Sequence, residues 1–440
     1  MIRRLLLLGL LGALCLPRLN AQMKKLDFER FTLDNGLTVL LHENHTAPIV
    51  TINVFYHVGS KNEKPGRSGF AHFFEHLMFE GSENIERGEF DKYLSGVGGN
   101  NNATTDQDRT LYFENVPSNQ LELALWLESE RMLHAKVNIK GVETQREVVK
   151  EERRMRYENQ PYGTYLEEMT DRIFAGTPYE ITPIGTMEDL NAATEEDFVQ
   201  FYADFYRPDN AIMSIVGDID VAETKKMVEK YFATIKSPQK PIYRPKLEIK
   251  ELKAEVRDTV YDQVQLPALF VGYPAPAKYS DDYYAMEMLN SILSGGRSSR
   301  MYKALVDNKK VALEAAALPL SLEAGGVNLI YGIAGMGIGL EKVEAALNEE
   351  IEKVQNELIS EKEFQKIKNQ AENSFVYNFA SNEGIATSLV TFEAYQGDAN
   401  LINTEIKKYL AVTRADIQRV AKKYLDKNKR VVLFWLPEGN

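Results

Sequence analysis

The sequence predicts an α+β fold in which one unit of roughly 210 residues, a mixed or antiparallel sheet flanked by helices, occurs twice. Three observations point to it. The chain has 440 residues, ample for two domains. Its one proline- and lysine-rich connection of note, Ser237 to Lys246 (SPQKPIYRPK), lies near the middle. Strand, helix, strand and paired helices then recur on both sides of that connection. The expected domains are residues 22–236 and 247–440, behind a leader at 1–21.

The elements follow in order. Phe31 to Leu41 reads as two extended segments around a turn at Asp34-Asn35-Gly36. Ile49 to His57 (IVTINVFYH) is apolar, β-branched and aromatic, as a sheet strand should be. Gly59 to Gly69 is a polar connection, and Phe70 begins a helix whose Phe73, Phe74, Leu77 and Met78 suit a core. Gly96 to Asp106 (GVGGNNNATTD) reads as a loop entering an extended segment that continues through Arg109 to Glu114. Ser118 to Leu133 and Val142 to Tyr157 carry helical spacing. A short helix is expected after Pro183, a strand at Ala211 to Val216 and a helix at Val221 to Phe232. In the second half, strands are expected at Ala268 to Gly272, Gly326 to Gly332 and Arg430 to Leu436. Helices are expected at Tyr283 to Leu293, Leu340 to Asn356, Ser360 to Phe379 and Thr404 to Tyr424.

Arg3 and Arg4 precede an apolar run, Leu5 to Leu16, that is too short to span a bilayer comfortably. A small residue at Ala21 offers a cleavage point that leaves Gln22 first. This reads as a secretory signal peptide, with export to a bacterial periplasm. Cys15 is the only cysteine, so the exported chain has none and depends on its core, not on disulfides. The net charge of −12 opposes nucleic-acid binding, and no second apolar segment suggests a membrane span in the mature chain.

The chemistry is concentrated in HFFEH, His72 to His76. On a helix, imidazoles four residues apart share one face and suit two ligands of a single Zn²⁺. Glu75 lies between them, placed to polarise a water at that metal. With six histidines in the whole chain, such an arrangement is rare by chance. It is the inverse of HExxH and reads as a zinc peptidase signature. A tetrahedral site with one open position needs a third protein ligand. The charged helix QREVVKEERRMRYEN, Gln145 to Asn159, offers Glu147, Glu151 and Glu152, and spacing alone does not choose among them.

HFFEH followed by VVKEERRMRYEN resembles the pitrilysin and insulin-degrading-enzyme family of zinc peptidases, which includes mitochondrial processing peptidase. The resemblance runs over nearly the whole mature chain, with a weaker match at GGRSSRMY, Gly295 to Tyr302. It implies Glu152 as third ligand, one zinc per chain, Glu75 as general base, and an endopeptidase of peptides or unfolded polypeptides. It also implies that Asn102 and Ala103 lie in an edge strand onto which substrate adds as a further strand. Where many relatives have a glutamate near the metal, this chain has Gln145, whose amide orients but cannot pair ionically.

One family feature is missing. Self-sufficient relatives supply an arginine and a tyrosine to the substrate carbonyl from their second half. Val306 and Leu313 stand in those places here, and neither donates a hydrogen bond. The resemblance therefore implies a heterodimer with a homologous, zinc-less subunit that supplies the Arg and Tyr, enclosing a chamber. The other class of function is a non-catalytic assembly or chaperone-like subunit, which has no physical need for the intact ligand set.

Overall fold

The computed structural model describes residues 25–135 and 137–439, so the expected leader lies outside the described residues. The first half contains β1 (Glu29–Thr32), β2 (Thr38–Glu43), β3 (Ile49–Tyr56), α1 (Phe70–Leu77), α2 (Glu89–Gly96), β4 (Asn100–Thr105) and β5 (Thr110–Pro117). Then come α3 (Leu121–His134), α4 (Ile139–Arg153), α5 (Tyr165–Ile173), α6 (Met187–Ala192), α7 (Glu195–Phe205), β6 (Ala211–Gly217) and α8 (Val221–Phe232). The second half has β7 (Val256–Asp262), β8 (Ala268–Ala275), α9 (Tyr283–Ser294), β9 (Ala312–Ser321), β10 (Gly326–Ala334) and α10 (Leu340–Asn356). It ends with α11 (Glu361–Asn378), α12 (Asn382–Gln396), α13 (Glu405–Ala411), α14 (Arg414–Tyr424) and β11 (Val431–Pro437).

The two sheets repeat one topology. The first has the order β1-β2-β6-β3-β5-β4 and the second β7-β11-β8-β10-β9. In each, a single parallel pair, β2 with β6 or β7 with β11, sits beside otherwise antiparallel neighbours. Without β1 the two orders superpose element by element. The duplicated unit expected from the sequence is present, as two helix-flanked sheets.

The halves exchange helices. Strand β3 is buried along nearly its whole length, because helices cover both faces of its sheet. One of those covers is α12, from the other half. Its Ile385, Ala386 and Leu389 pack on Leu40 and Val216, Thr387 is hydrogen-bonded to Asn53 at 2.8 Å, and Ser214 Oγ donates to the Ala386 carbonyl. In return α5 lies on the second sheet, with Met169 and Ile173 against Phe270, Leu329 and Trp435. Gly272 on β8 permits the approach: a Cβ there would stand 2.1 Å from Met169 Sδ.

One difference from the sequence reading has a local cause. Thr404 to Tyr424 is two helices, because Thr413 accepts the Asp416 N–H while Asp416 returns a bond to the Thr413 N–H, starting a new helix. Gly96 to Asp106 is, as expected, a loop entering an extended segment: from Asn100 it is strand β4, which forms one edge of the first sheet. The Ser237 to Lys246 connection lies within residues 233–255, which contain no helix or strand.

Candidate metal centre

Helix α1 is held at both its start and its buried face. Gly69 precedes it with φ +89°, a left-handed conformation suited to glycine. The Gly69 and Ala71 N–H groups donate to the Glu63 carboxylate at 2.9 and 2.8 Å. Glu63 there satisfies orphan donors at the helix start, while burial pushes its own pKa well up. Phe70, Phe73, Phe74 and Leu77 are buried, and three of these rings stack on or tilt against Phe198 of α7. The opposite face is left to His72, Glu75 and His76.

The three expected ligands converge. His72 Nε2 and His76 Nε2 are 3.4 Å apart, and Glu152 Oε2 on α4 stands 3.5 and 3.2 Å from them. A tetrahedral zinc with bonds near 2.05 Å has ligand-to-ligand edges of about 3.3 Å. The donor triangle therefore has the size of one face of such a site. Among the described residues, this is the one group of three histidine, cysteine or acidic side chains close enough to share an ion. Glu147 and Glu151, the rivals left open by spacing, are bonded to Lys150 and Arg154 instead.

Electrostatics favour the ligating forms. Burial, reinforced by His76, lowers the His72 pKa, which keeps its imidazole neutral. The hydrogen bond with His76 and the neighbouring charges of His72, His76 and Arg156 hold the Glu152 carboxyl below its ordinary value, against burial. Arg156 Nη1 takes Glu152 Oε1 at 2.9 Å, leaving Oε2 to face the imidazoles. Just beyond Glu152 the helix widens into a π-helical turn, Arg154–Glu158. Burial raises the Glu75 pKa, opposed by a hydrogen bond with Thr105 of β4.

The remaining expected residues fall into two groups. Asn102 and Ala103 lie on edge strand β4, the first exposed and the second buried, and Asn102 Oδ1 accepts the Ala103 N–H at 2.9 Å. Gln145 does not meet the triangle: its Nε2 donates to Glu80 Oε1 at 2.6 Å, and its Oε1 has no partner. His72 Nδ1 is likewise buried without a partner. Val306 packs at the margin of the second core, and Leu313 is exposed on β9. Glu63, Thr105 and Arg156 were not singled out from the sequence. Only Arg156 had a signal there, a Glu-to-Arg pair at helical spacing.

Comparison with known proteins decides the family. Residues 38–187 match the model described as insulinase (peptidase family M16), and residues 192–371 match the peptidase M16 inactive domain. The zinc protease PqqE of Helicobacter pylori is 32% identical over 441 residues, spanning 98% of this chain and 98% of that protein. The chain belongs to the M16 peptidase family. A crystal structure of a protease from Helicobacter pylori superposes with a TM-score of 0.90 at 30% identity, covering 94% of this chain and all of that one. The periplasmic protease PqqL of Escherichia coli shares the fold at TM-score 0.76 and 18% identity, and this M16 chain covers 48% of its length. Among the described residues no helix is long and apolar enough to cross a membrane.

Proposed function

We propose that this M16 chain is a zinc-dependent endopeptidase of peptides or unfolded polypeptides, with residues 22–236 as its catalytic domain and 247–440 as a homologous domain without metal. The observation that carries the reading is the His72, His76 and Glu152 triangle at zinc-ligand spacing with Glu75 on the same face. These three side chains would hold one zinc. When bound, zinc supplies Lewis acidity, sharpening a water as nucleophile and polarising the scissile carbonyl. Glu75 takes a proton from the attacking water and returns it to the leaving amine. Thr105 of β4 stands beside that carboxylate and opposes the rise of its pKa.

The β4 edge receives the substrate as an added strand, through main-chain hydrogen bonds that tolerate many sequences. Asn102 releases the Ala103 N–H when it does. Gln145 acts behind the ligands by tying α4 to Glu80, just past the end of α1. Val306 and Leu313 provide no donor for the substrate carbonyl. A homologous zinc-less subunit therefore supplies an arginine and a tyrosine across a closed chamber. That PqqL is about twice this chain's length supports a second half of this kind. Its description as periplasmic supports export of this chain to the same compartment.

The test is hydrolysis of a mixed pool of unfolded peptides by the mature chain, with zinc content measured alongside. Turnover that disappears in Glu75→Gln while zinc stays bound supports the peptidase. Zinc-loaded, folded protein that is inactive alone and active with a zinc-less homologue supports the heterodimer. Unchanged turnover in Glu75→Gln would remove Glu75 from its role.

A further inference from the structure

Glu152 reaches the histidines from the last turn of α4, where the backbone ladder changes. Arg153 is the final residue of that helix, and Arg154–Glu158 continue it as a π-helical turn. Where the hydrogen-bond pattern shifts in this way, contacts from outside the helix fix the backbone. Adjacent Cα atoms are about 3.8 Å apart, so whatever anchors Arg153 also fixes the base of the Glu152 side chain. The donor edges of 3.2 to 3.5 Å tolerate little drift, because bonds to a metal hold to within about 0.2 Å.

Arg153 is anchored from three sides. Its Nη1 and Nη2 donate to the two oxygens of Glu167 on α5, at 2.6 and 3.1 Å. Nη1 also donates to the Gly185 carbonyl at 2.6 Å, and Nε to Glu158 at 3.2 Å. Gly185 abuts the start of α1: a Cβ there would stand 2.6 Å from Gly69 Cα. Glu167 belongs to the helix that lies on the second sheet, where Tyr165 stacks on Phe270 with ring centres 5.5 Å apart. One guanidinium therefore joins the helix of Glu152, the loop against the helix of both histidines, and α5 on the other half. The Arg153 side chain is 12% exposed, against 74% for Arg156, so its bidentate pair is screened far less than the Arg156 contact.

We propose that Arg153 is a positioning residue: it sets Glu152 against His72 and His76, and through Glu167 it makes that spacing depend on how α5 sits on the second half. This rests on those three side chains holding zinc. The domain without a metal site thereby takes part in metal binding by the other. A buried ion pair that merely joined the halves would act on stability and leave the metal affinity of folded protein alone.

Competition between the full chain and a chromogenic chelator for zinc tests it, with thermal unfolding run on each variant. Arg153→Met keeps the stem and removes the donors, and zinc affinity of the folded protein should fall by about 10–100-fold. Glu167→Gln loses the charged pair and should lower it by about threefold or more, and it carries the test if the Met variant fails to fold. Gly272→Ala pushes Met169, and α5 with it, from the far side. It should weaken zinc by about threefold or more in the wild-type background, and change it no further beside Arg153→Met or Glu167→Gln. Melting temperatures that fall while all three variants keep wild-type zinc affinity would overturn the proposal. Strict additivity of Gly272→Ala with both other substitutions would overturn the dependence on the second half. A wild-type chain that binds no zinc would overturn the metal site itself, and this proposal with it, an outcome distinct from the other two.

Discussion

Asp108, in the turn between β4 and β5, accepts a 2.8 Å hydrogen bond from the backbone N–H of Glu323 in the other half. Its second oxygen takes Lys61 Nζ at 3.0 Å and the Tyr179 hydroxyl at 2.5 Å, and Glu323 closes the ring on Lys61 and His57. The same turn follows Thr105, which lies beside Glu75. The junction between halves and the tip of edge strand β4 are thus one polar cluster.

Lys61 and Asp108 are both almost fully buried. Asp108→Ala leaves a buried ammonium with one partner fewer and two buried donors unmade. A loss of ~3–5 kcal/mol in unfolding free energy is expected. Urea denaturation measures it, and an unchanged midpoint would deny the cluster a structural role.

Acid should release this junction. Burial alone would raise the Glu323 pKa, but the His57 hydrogen bond and the charges of His57 and Lys61 outweigh it and bring it to about 2. A depressed folded pKa stabilises above the unfolded value of 4.5 and is lost as pH falls through the folded one. Wild-type stability should therefore decline between those two values. Glu323→Gln should flatten that part of the curve, which denaturation at a series of pH values would reveal.

The cap on α1 is open to a similar test. Glu63→Ala removes the acceptor for two helix-start donors and should cost ~0.5–2 kcal/mol. Because His72 follows in the first turn, zinc should also be withdrawn by a chelator at lower concentration. Full stability with unchanged chelator resistance would show the cap to be dispensable.

Ligand and orienting residue should separate by magnitude. Outer partners of metal ligands typically change affinity by ~10–100-fold, and an exposed arginine lies at the weak end. Arg156→Ala should lower zinc affinity by about tenfold or less, with the effect shrinking in salt. Glu152→Gln should lower it by more than ~100-fold. Competition with a chromogenic chelator compares them; equal losses would mean that Arg156 does more than orient.

Gly272→Ala forces a methyl group into Met169 and should destabilise by ~1–3 kcal/mol. Met169→Ala should lessen that cost in the double variant, read by thermal unfolding. Strict additivity would mean that the contact across the exchanged helix is slack.

What was readable in the sequence was what local pattern decides. Strand β3, helix α1 from Phe70, and α8 and α10 all fall where residue type and spacing place them. Helix α12 was not readable, because its apolar residues are spread around the axis and its partner sheet lies in the other half. Strand β9, ALEAAALPLS, carries alanines that favour helix and a proline tolerated on a sheet edge. At the site, two histidines one helical turn apart announced themselves, whereas choosing Glu152 over Glu151 took the family resemblance. Glu63 was hidden because its cap reaches back from a loop, and Thr105 because its contact exists only once β4 lies beside α1.

The exchanged helices set how this molecule can move. Parting the halves would strip α12 from one sheet and α5 from the other, wetting two apolar faces at once. Residues 233–255 are accordingly a tether and not a hinge, and a chain nicked there should stay together as two interlocked pieces. The two halves therefore move as one rigid unit, and the face that carries His72, His76 and Glu152 moves with it.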